Sequence, residues 1–379
     1  MMSKNAPFPA KAGTGPQDCY QTYGITDANL PVFYQQLKQK LTFPLSWVSG
    51  NFTDFEAWRR TARAKVLELT FQPPDQTPFE PEIIATEDRG THTVKKVVFN
   101  LTAESRVLGL MGIPKGPGPF PAILLLHDHG ARFDIGKEKL IRPWSNDKAK
   151  LAVAQSWAKR YFSGYFIGDE LAARGYVVIA TDALGWSDRG VLTEEAQQAL
   201  GSNLLNLGTS PTGLMIAEDI RAADFLATWA EVDPLRIGAV GFSMGAHRVW
   251  QIAALSDTVQ AGVAVCWMGT LDGFMRPEHK TVRGYSAFQK ILPGVANFLD
   301  CADIASIAAP KPMLFYNGES DSGFPVGPVK DAYAKMRHVW DSQQADDQLV
   351  TKIWPGLGHE FVRKQQTEAF AWLDQWLRS

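Results

Sequence analysis

Gly241-Phe242-Ser243-Met244-Gly245 fits the pattern G-x-S-x-G, and its surroundings decide how the chain folds. The pattern alone is weak, since about one chain in ten of this length would carry it by chance at ordinary glycine and serine frequencies. Its flanks change that. Arg236-Ile237-Gly238-Ala239-Val240 precedes it, a short apolar run led by the turn Val232-Asp233-Pro234. It reads as a strand buried on both faces. Ala246 to Leu255 follows, with apolar residues at helical spacing. Strand, tight turn and helix form the setting in which such a serine is lifted clear of a strand end, its hydroxyl able to attack a carbonyl. The turn is strained, and side chains at 241 or 245 would collide with the neighbouring strand or helix.

A serine hydroxyl is a poor nucleophile at neutral pH. It needs a base, and the base needs an acid to orient it. In the arrangement that goes with a G-x-S-x-G elbow, the chain order is Ser, then Asp or Glu, then His, each at the end of a strand. Met313 to Tyr316 is such a strand and runs into Asn317-Gly318-Glu319-Ser320-Asp321, which makes Asp321 the candidate acid. Glu319 beside it and Asp272, after the strand Ala261 to Val265, are its competitors. Trp354-Pro355-Gly356-Leu357-Gly358-His359 places His359 in a glycine-rich loop after the last strand, as the candidate base. His247 lies one turn beyond Ser243 and reads as a packing residue. His92, His279 and His338 lack a strand-end setting and read as surface residues.

A tetrahedral intermediate needs two donors for its oxyanion. The backbone N–H of Met244 is one. Gly130 and Ala131, in the loop His127-Asp128-His129-Gly130-Ala131-Arg132 after the strand Ala122 to Leu126, are the candidates for the other. His129, Trp267 and Met268 are expected beside the substrate. His127-x-His129 has a metal-like spacing, but the longer H-x-H-x-D-H and H-E-x-x-H patterns are absent, so no metal is expected. Phosphate-cradling glycine loops are absent too, and no cofactor is expected.

Further strands are read at 93–99, 107–113, 176–180 and 349–354, and helices at 168–174 and 217–230. The alternation argues for an α/β fold, a mostly parallel sheet with helices on both faces. Residues 1–85 are read as an N-terminal arm and helical extension, set off by Pro73, Pro74, Pro78 and Pro81. A helix is expected at Phe55, capped by Thr53 or Asp54, with Glu56 closing a capping box. Residues 86–379 are then the catalytic domain. Two lid-like insertions interrupt it. Residues 131–165 carry Arg132, Lys137, Lys139, Arg142, Lys148, Lys150, Lys159 and Arg160. They read as a solvated basic excursion or a contact for a homo-oligomer, or more sharply as a lid favouring acidic or polar acyl substrates. Residues 267–300 would wall the acyl pocket.

The chain has 379 residues with 45% hydrophobic content and 12 tryptophans, enough for a large core. A formal net charge of −2 offers no general attraction to nucleic acid or anionic membrane. No run of about 18 apolar residues is present to span a membrane. No secretory signal is visible at the start, and Cys19, Cys266 and Cys301 are odd in number and widely spaced. A cytoplasmic enzyme acting on a small-molecule ester is the expectation.

With elbow, acid, histidine and oxyanion loop placed, the chain from about residue 86 onward resembles the α/β-hydrolase superfamily. Within it, the chain is similar to the dienelactone hydrolase and acetyl xylan esterase-like branch. The supporting stretches are Asp219-Ile220-Arg221-Ala222-Ala223-Asp224-Phe225-Leu226, Val232 to Gly238, and Ile307-Ala308-Ala309-Pro310-Lys311-Pro312. The resemblance implies a Ser243–His359–Asp321 triad acting through an acyl-enzyme. Dienelactone hydrolases proper use a cysteine nucleophile where this chain has Ser243. No motif demonstrates sugar binding. Peptide or C–C bond cleavage on the same fold, or an inactive binding protein, are the alternatives to ester hydrolysis.

Overall fold

A computed structural model describes residues 26–27, 30–31, 33–276 and 287–378. Cys19 and His279 lie outside them. Nine strands form one sheet: β1 (Glu82–Asp88), β2 (His92–Thr102), β3 (Ser105–Pro114), β4 (Phe120–Leu126), β5 (Val177–Ala180), β6 (Val232–Phe242), β7 (Ala261–Val265), β8 (Met313–Gly318) and β9 (Leu349–Trp354). Their spatial order is β9-β8-β7-β6-β4-β5-β3-β2-β1. The pairs from β5 through β4, β6, β7 and β8 to β9 are parallel, and β1, β2 and β3 form an antiparallel edge. The order reverses around β4, where its neighbours are β5 and β6. A crevice for a ligand is expected at the carboxyl ends of the strands at such a reversal.

Alternation along the central strands feeds two cores. In β4, Ala122, Leu124 and Leu126 face one core while Ile123 and Leu125 face the other. Val177 and Ile179 are divided in the same way from Val178 and Ala180 in β5. The helices include α1 (Tyr34–Lys38), α5 (Glu194–Asn206) and α8 (Leu271–Phe274). Helices α2 (Phe55–Thr70), α6 (Pro211–Ala227), α7 (Met244–Leu255), α9 (Cys301–Ser306) and α10 (Val326–Ser342) supply the first core. The second is supplied by α3 (Lys148–Tyr161), α4 (Ile167–Ala173) and α11 (Arg363–Leu377). A strand apolar on both faces has no solvated side, which is why the sequence runs of β4 and β5 are continuous rather than alternating.

The sheet begins earlier than the proline-based boundary at 85/86, because β1 starts at Glu82 and pairs with β2. Its sequence, Glu82-Ile83-Ile84-Ala85-Thr86-Glu87-Asp88, lies on an edge with both isoleucines exposed, so it lacks a clear apolar rhythm. Of the expected helical extension, α-helix among the described residues is confined to the short helix Tyr34–Lys38 and to α2. Asp54 caps α2, accepting from the N–H of Ala57. That puts Ala57 rather than Glu56 at the third helical position, so the expected capping box does not form. Trp58, Ala62, Val66 and Leu69 of α2 enter the first core directly.

His92 is a correction to the surface reading. It is buried at the start of β2, with its Nε2 3.3 Å from the carboxylate of Asp169. No helix among the described residues is long and apolar enough to cross a membrane.

Trp58 is fully buried and its indole N–H donates to the carbonyl of Leu45 at 2.7 Å. Trp58→Ala should cost about 3–5 kcal/mol through the cavity left behind. Urea unfolding of the full chain measures it, and a loss below about 1 kcal/mol would mean that the extension contributes little to the core.

Candidate active site

The elbow follows from backbone geometry. Ser243 stands between β6 and α7 at φ 55°, ψ −122°, a region that non-glycine residues rarely adopt. Its own N–H holds the carbonyl of Val265 at 2.8 Å. A Cβ at Gly245 would land on the carbonyl oxygen of Leu126, and one at Gly241 on the backbone of Gly245. Only glycine at both places lets α7 start this close to β4. The N–H groups of Met244, Gly245 and Ala246, in the first turn of α7, have no intrahelical acceptor.

Two further loops bring the acid and the base. Asp321 follows β8, and His359 follows β9. The loops are tied together: Glu319 N–H donates to the Trp354 carbonyl at 3.0 Å, and Ser320 N–H to the Leu357 carbonyl at 2.8 Å. His359 Nδ1 is 2.7 Å from Asp321 Oδ2, and its Nε2 is 2.9 Å from Ser243 Oγ. The histidine therefore bridges the other two. Asp321 is buried, and its second oxygen accepts from the Gly323 N–H at 2.9 Å. The His359 ring lies parallel to Phe324, 5.8 Å away, and 4.8 Å from Phe242.

Neither competing acid approaches the histidine. Glu319 accepts from the N–H of Gly356 at 3.0 Å, bracing the histidine loop. Asp272 pairs with Lys38 at 2.5 Å and Arg276 at 3.0 Å. His247 packs its ring on Trp267, 4.1 Å between centroids.

Cys266, behind the site, brings its Sγ within 4.8 Å of ligand atoms of Asp321 and His359. Burial pushes this thiol well above the ordinary range, with the Asp321 charge adding to the effect. A thiol kept protonated in this way is a poor nucleophile beside Ser243.

The loop after β4 departs from expectation in two respects. Ala131 is no oxyanion donor, because its N–H donates to His129 Nδ1 at 3.0 Å. Gly130, at φ 57°, has no acceptor for its N–H among the described residues. His129 does not present its ring to substrate either. It is buried, with Nε2 2.6 Å from Gln197 Oε1 and Nδ1 taken by Ala131. His127 is likewise engaged, Nδ1 with the Asp128 carbonyl at 2.9 Å and Nε2 with the Ala183 N–H at 3.0 Å. All four ring nitrogens of the His127-x-His129 pair thus have protein partners. Trp267 and Met268 are almost inaccessible, packed among Trp250, Phe274 and Phe324 behind the site.

The segment 131–165 is not the solvated basic excursion its composition suggested. Lys137 and Lys139 are fully buried. Lys137 Nζ contacts Asp182 and Asp188 at 2.5 Å and Glu138 at 3.3 Å. These three carboxylates outweigh burial and hold it charged. Lys139 reaches the carbonyls of Asp128 and His129 at 2.8 and 3.0 Å. Composition hides these contacts, because a lysine count says nothing about where each ammonium points. The usable signal was the apolar frame around Lys137-Glu138-Lys139, namely Ile135, Leu140 and Ile141, all buried. Exposed cations of the segment include Arg132, Arg142, Lys148, Lys159 and Arg160.

Sheet order, elbow and strand-end loops together define an α/β-hydrolase. A sequence model of the dienelactone hydrolase family matches residues 161–379, and the chain belongs to that family. A candidate hydrolase of Bacillus subtilis (strain 168), YtaP, is 27% identical over 320 residues, which is 84% of this chain and all of that protein. Among solved structures, a candidate acetyl xylan esterase from Bacteroides fragilis NCTC 9343 superposes with a TM-score of 0.67 at 20% identity, covering 85% of this chain and 82% of that one. A glucuronoyl esterase from Solibacter usitatus gives 0.62 at 14% identity, covering 94% and 97%. At these identities the two structures establish the shared fold.

Burial makes His247 hard to protonate, holding it down to about 3, and His129 down to about 4. Unfolded histidine takes up a proton near pH 6.5 while the native ring does not, so the unfolded state binds more protons and stability is lost as the pH drops below about 6.5. Replacing the ring in His247→Leu should make stability less steep by about 1.4 kcal/mol per pH unit between pH 6 and 4. Urea unfolding of both proteins across that range reads the difference, and parallel curves would contradict it.

Proposed function

We propose that the protein is a serine carboxylic-ester hydrolase working through an acyl-enzyme. The observation that carries the reading is the unbroken line from Ser243 Oγ through His359 to the buried carboxylate of Asp321, at 2.9 and 2.7 Å. Membership of a hydrolase family supports it.

In this mechanism His359 Nε2 takes the hydroxyl proton as Ser243 Oγ adds to the ester carbonyl. Asp321 stays ionised, keeping the Nδ1–H tautomer in place and stabilising the imidazolium. The tetrahedral oxyanion is met by the Met244 N–H and by an N–H of the loop after β4. His359 returns the proton to the departing alkoxide, and the alcohol leaves. Water then gives a proton to the same nitrogen and attacks the acyl-enzyme, and collapse of the second intermediate releases the acid and restores Ser243. The aromatic packing of Phe242 and Phe324 against His359, and of Trp267 against His247 and Phe324, supports a short acyl group. The candidate acetyl xylan esterase among the fold neighbours points the same way, with an acetylated sugar as the alcohol part to screen.

Hydrolysis of p-nitrophenyl esters from acetyl to octanoyl tests the reading. Turnover should fall with acyl length, and Ser243→Ala should lower kcat by about 10⁴-fold or more without unfolding the protein. Turnover that survives in Ser243→Ala would overturn the nucleophile, and a wild type inert to every ester and to a serine-directed phosphonate would favour a binding protein. Asp321→Asn should lower kcat by about 10³- to 10⁴-fold, through loss of the correct histidine tautomer. Asp272→Asn and Glu319→Gln should stay within about tenfold of wild type by the same reasoning.

A further inference from the structure

Three successive carbonyls of the loop after β4 are held by buried groups. Lys139 Nζ donates to the Asp128 carbonyl at 2.8 Å and to the His129 carbonyl at 3.0 Å. Arg248 Nη1, from α7, lies 3.5 Å from the His127 carbonyl. Asp128 itself is clamped on both carboxylate oxygens, by Lys139 Nζ at 3.5 Å and by the indole N–H of Trp157 at 3.1 Å. The Lys139 ammonium lies 4.9 Å from the centre of that same indole ring.

In a trans peptide the C=O and N–H point in opposite directions. Carbonyls of 128 and 129 turned toward Lys139 therefore turn the N–H groups of His129 and Gly130 away from it. The carbonyl of 127 turned toward Arg248 likewise turns away the N–H of Asp128. Among the described residues, none of these three N–H groups has an acceptor, although Asp128 and His129 are buried. Buried backbone donors left open in this way are uncommon. They lie beside the elbow, since the backbone of Leu126 and His127 rests against Gly245.

We infer that Lys139 is a positioning residue of the reaction, fixing the peptide planes of residues 128–130 so that their open N–H groups complete the oxyanion site opposite Met244. The inference rests on the ester-hydrolase reading and adds a residue that touches neither substrate nor the Ser243–His359–Asp321 line. Lys139 acts through the carbonyls it holds. Without the ammonium, the Asp128 carbonyl keeps only the His127 ring at 2.9 Å and the His129 carbonyl only the Trp186 indole N–H at 3.3 Å, so the one group that ties the two peptide planes together is lost. The nucleophile and its base stay in place, while the developing oxyanion loses a fixed partner.

Lys139→Met keeps the aliphatic length and removes the charge. Lys139→Met/Asp128→Asn also removes the carboxylate that would otherwise be left without its cation, and carries the measurement if the single variant does not fold. For the folded variant, kcat on p-nitrophenyl acetate should fall by about 10²-fold, with KM within about threefold. The inhibition constant of a trifluoromethyl ketone, whose tetrahedral adduct needs the oxyanion donors, should rise in parallel. Lys137→Met is the control, since Lys137 contacts carboxylates and no carbonyl of this loop. It should lower Tm while kcat and ketone affinity stay within about threefold of wild type. A folded Lys139 variant with wild-type kcat, or one with reduced kcat and undiminished ketone affinity, overturns the inference. Ser243→Ala is measured alongside. Activity surviving there would overturn the ester-hydrolase reading and the inference with it, whereas an inactive Ser243→Ala beside a fully active Lys139 variant overturns the inference alone.

Discussion

The backbone of α7 meets the end of β4 at Gly245, where even a methyl group would occupy the position of the Leu126 carbonyl oxygen. This contact sets the distance between the two central strands' loops, and much of the site is built around it. It requires the chain to turn within one residue after Phe242, which forces Ser243 to φ 55°. A non-glycine residue in that region costs on the order of 1–3 kcal/mol, and persists only where the surroundings over-determine it. Here the surroundings are the Ser243 N–H bond to Val265 and the buried apolar residues on both sides of β6. The strain holds the hydroxyl clear of the sheet, facing His359.

The loops at the strand ends pose a different problem. They are buried enough to be dry, yet they have no ladder to satisfy their carbonyls. The molecule answers with buried cations. Arg248 and Asp219 form a two-pronged pair at 2.8 and 2.6 Å that ties α7 to α6, and Lys139 covers the carbonyls of the loop after β4. Lys137 gathers Asp182 from the end of β5 together with Asp188 and Glu138. Replacing such buried pairs by apolar residues is often neutral for stability, whereas removing one partner costs several kcal/mol. For Lys139 and Arg248, which reach carbonyls of the loop after β4, the role is thus better understood as fixing a backbone conformation than as adding to the core.

Much of this was legible beforehand. The apolar run of β6 announced a strand buried on both faces, β4, β5 and β7 were legible as further strands, and glycines at 241 and 245 announced the elbow. The order of Ser243, Asp321 and His359 along the chain matched the order in which parallel strands deliver loops to one edge. Choosing Asp321 over Glu319 and Asp272 needed contacts: Glu319 is spent on Gly356, and Asp272 on Lys38 and Arg276. Strand β1 escaped notice because an exposed edge strand has no buried face to impose a rhythm. His92 escaped because its burial depends on Asp169, distant in sequence.

The basic stretch 131–165 marks the limit most plainly. A local pattern records which side chains are charged, and charge is usually solvated. Whether a given ammonium is solvated or buried depends on where carboxylates and carbonyls from other strands arrive, and for Lys137 and Lys139 those come from residues up to 51 positions away. The sequence by itself determined the fold, the strained turn and the order of the three reactive side chains, because these rest on local periodicity, backbone sterics and chain order. Tertiary structure alone decided which carboxylate meets His359, which loop amides stay open, and which lysines are buried, because those outcomes depend on distances between segments that no local pattern encodes.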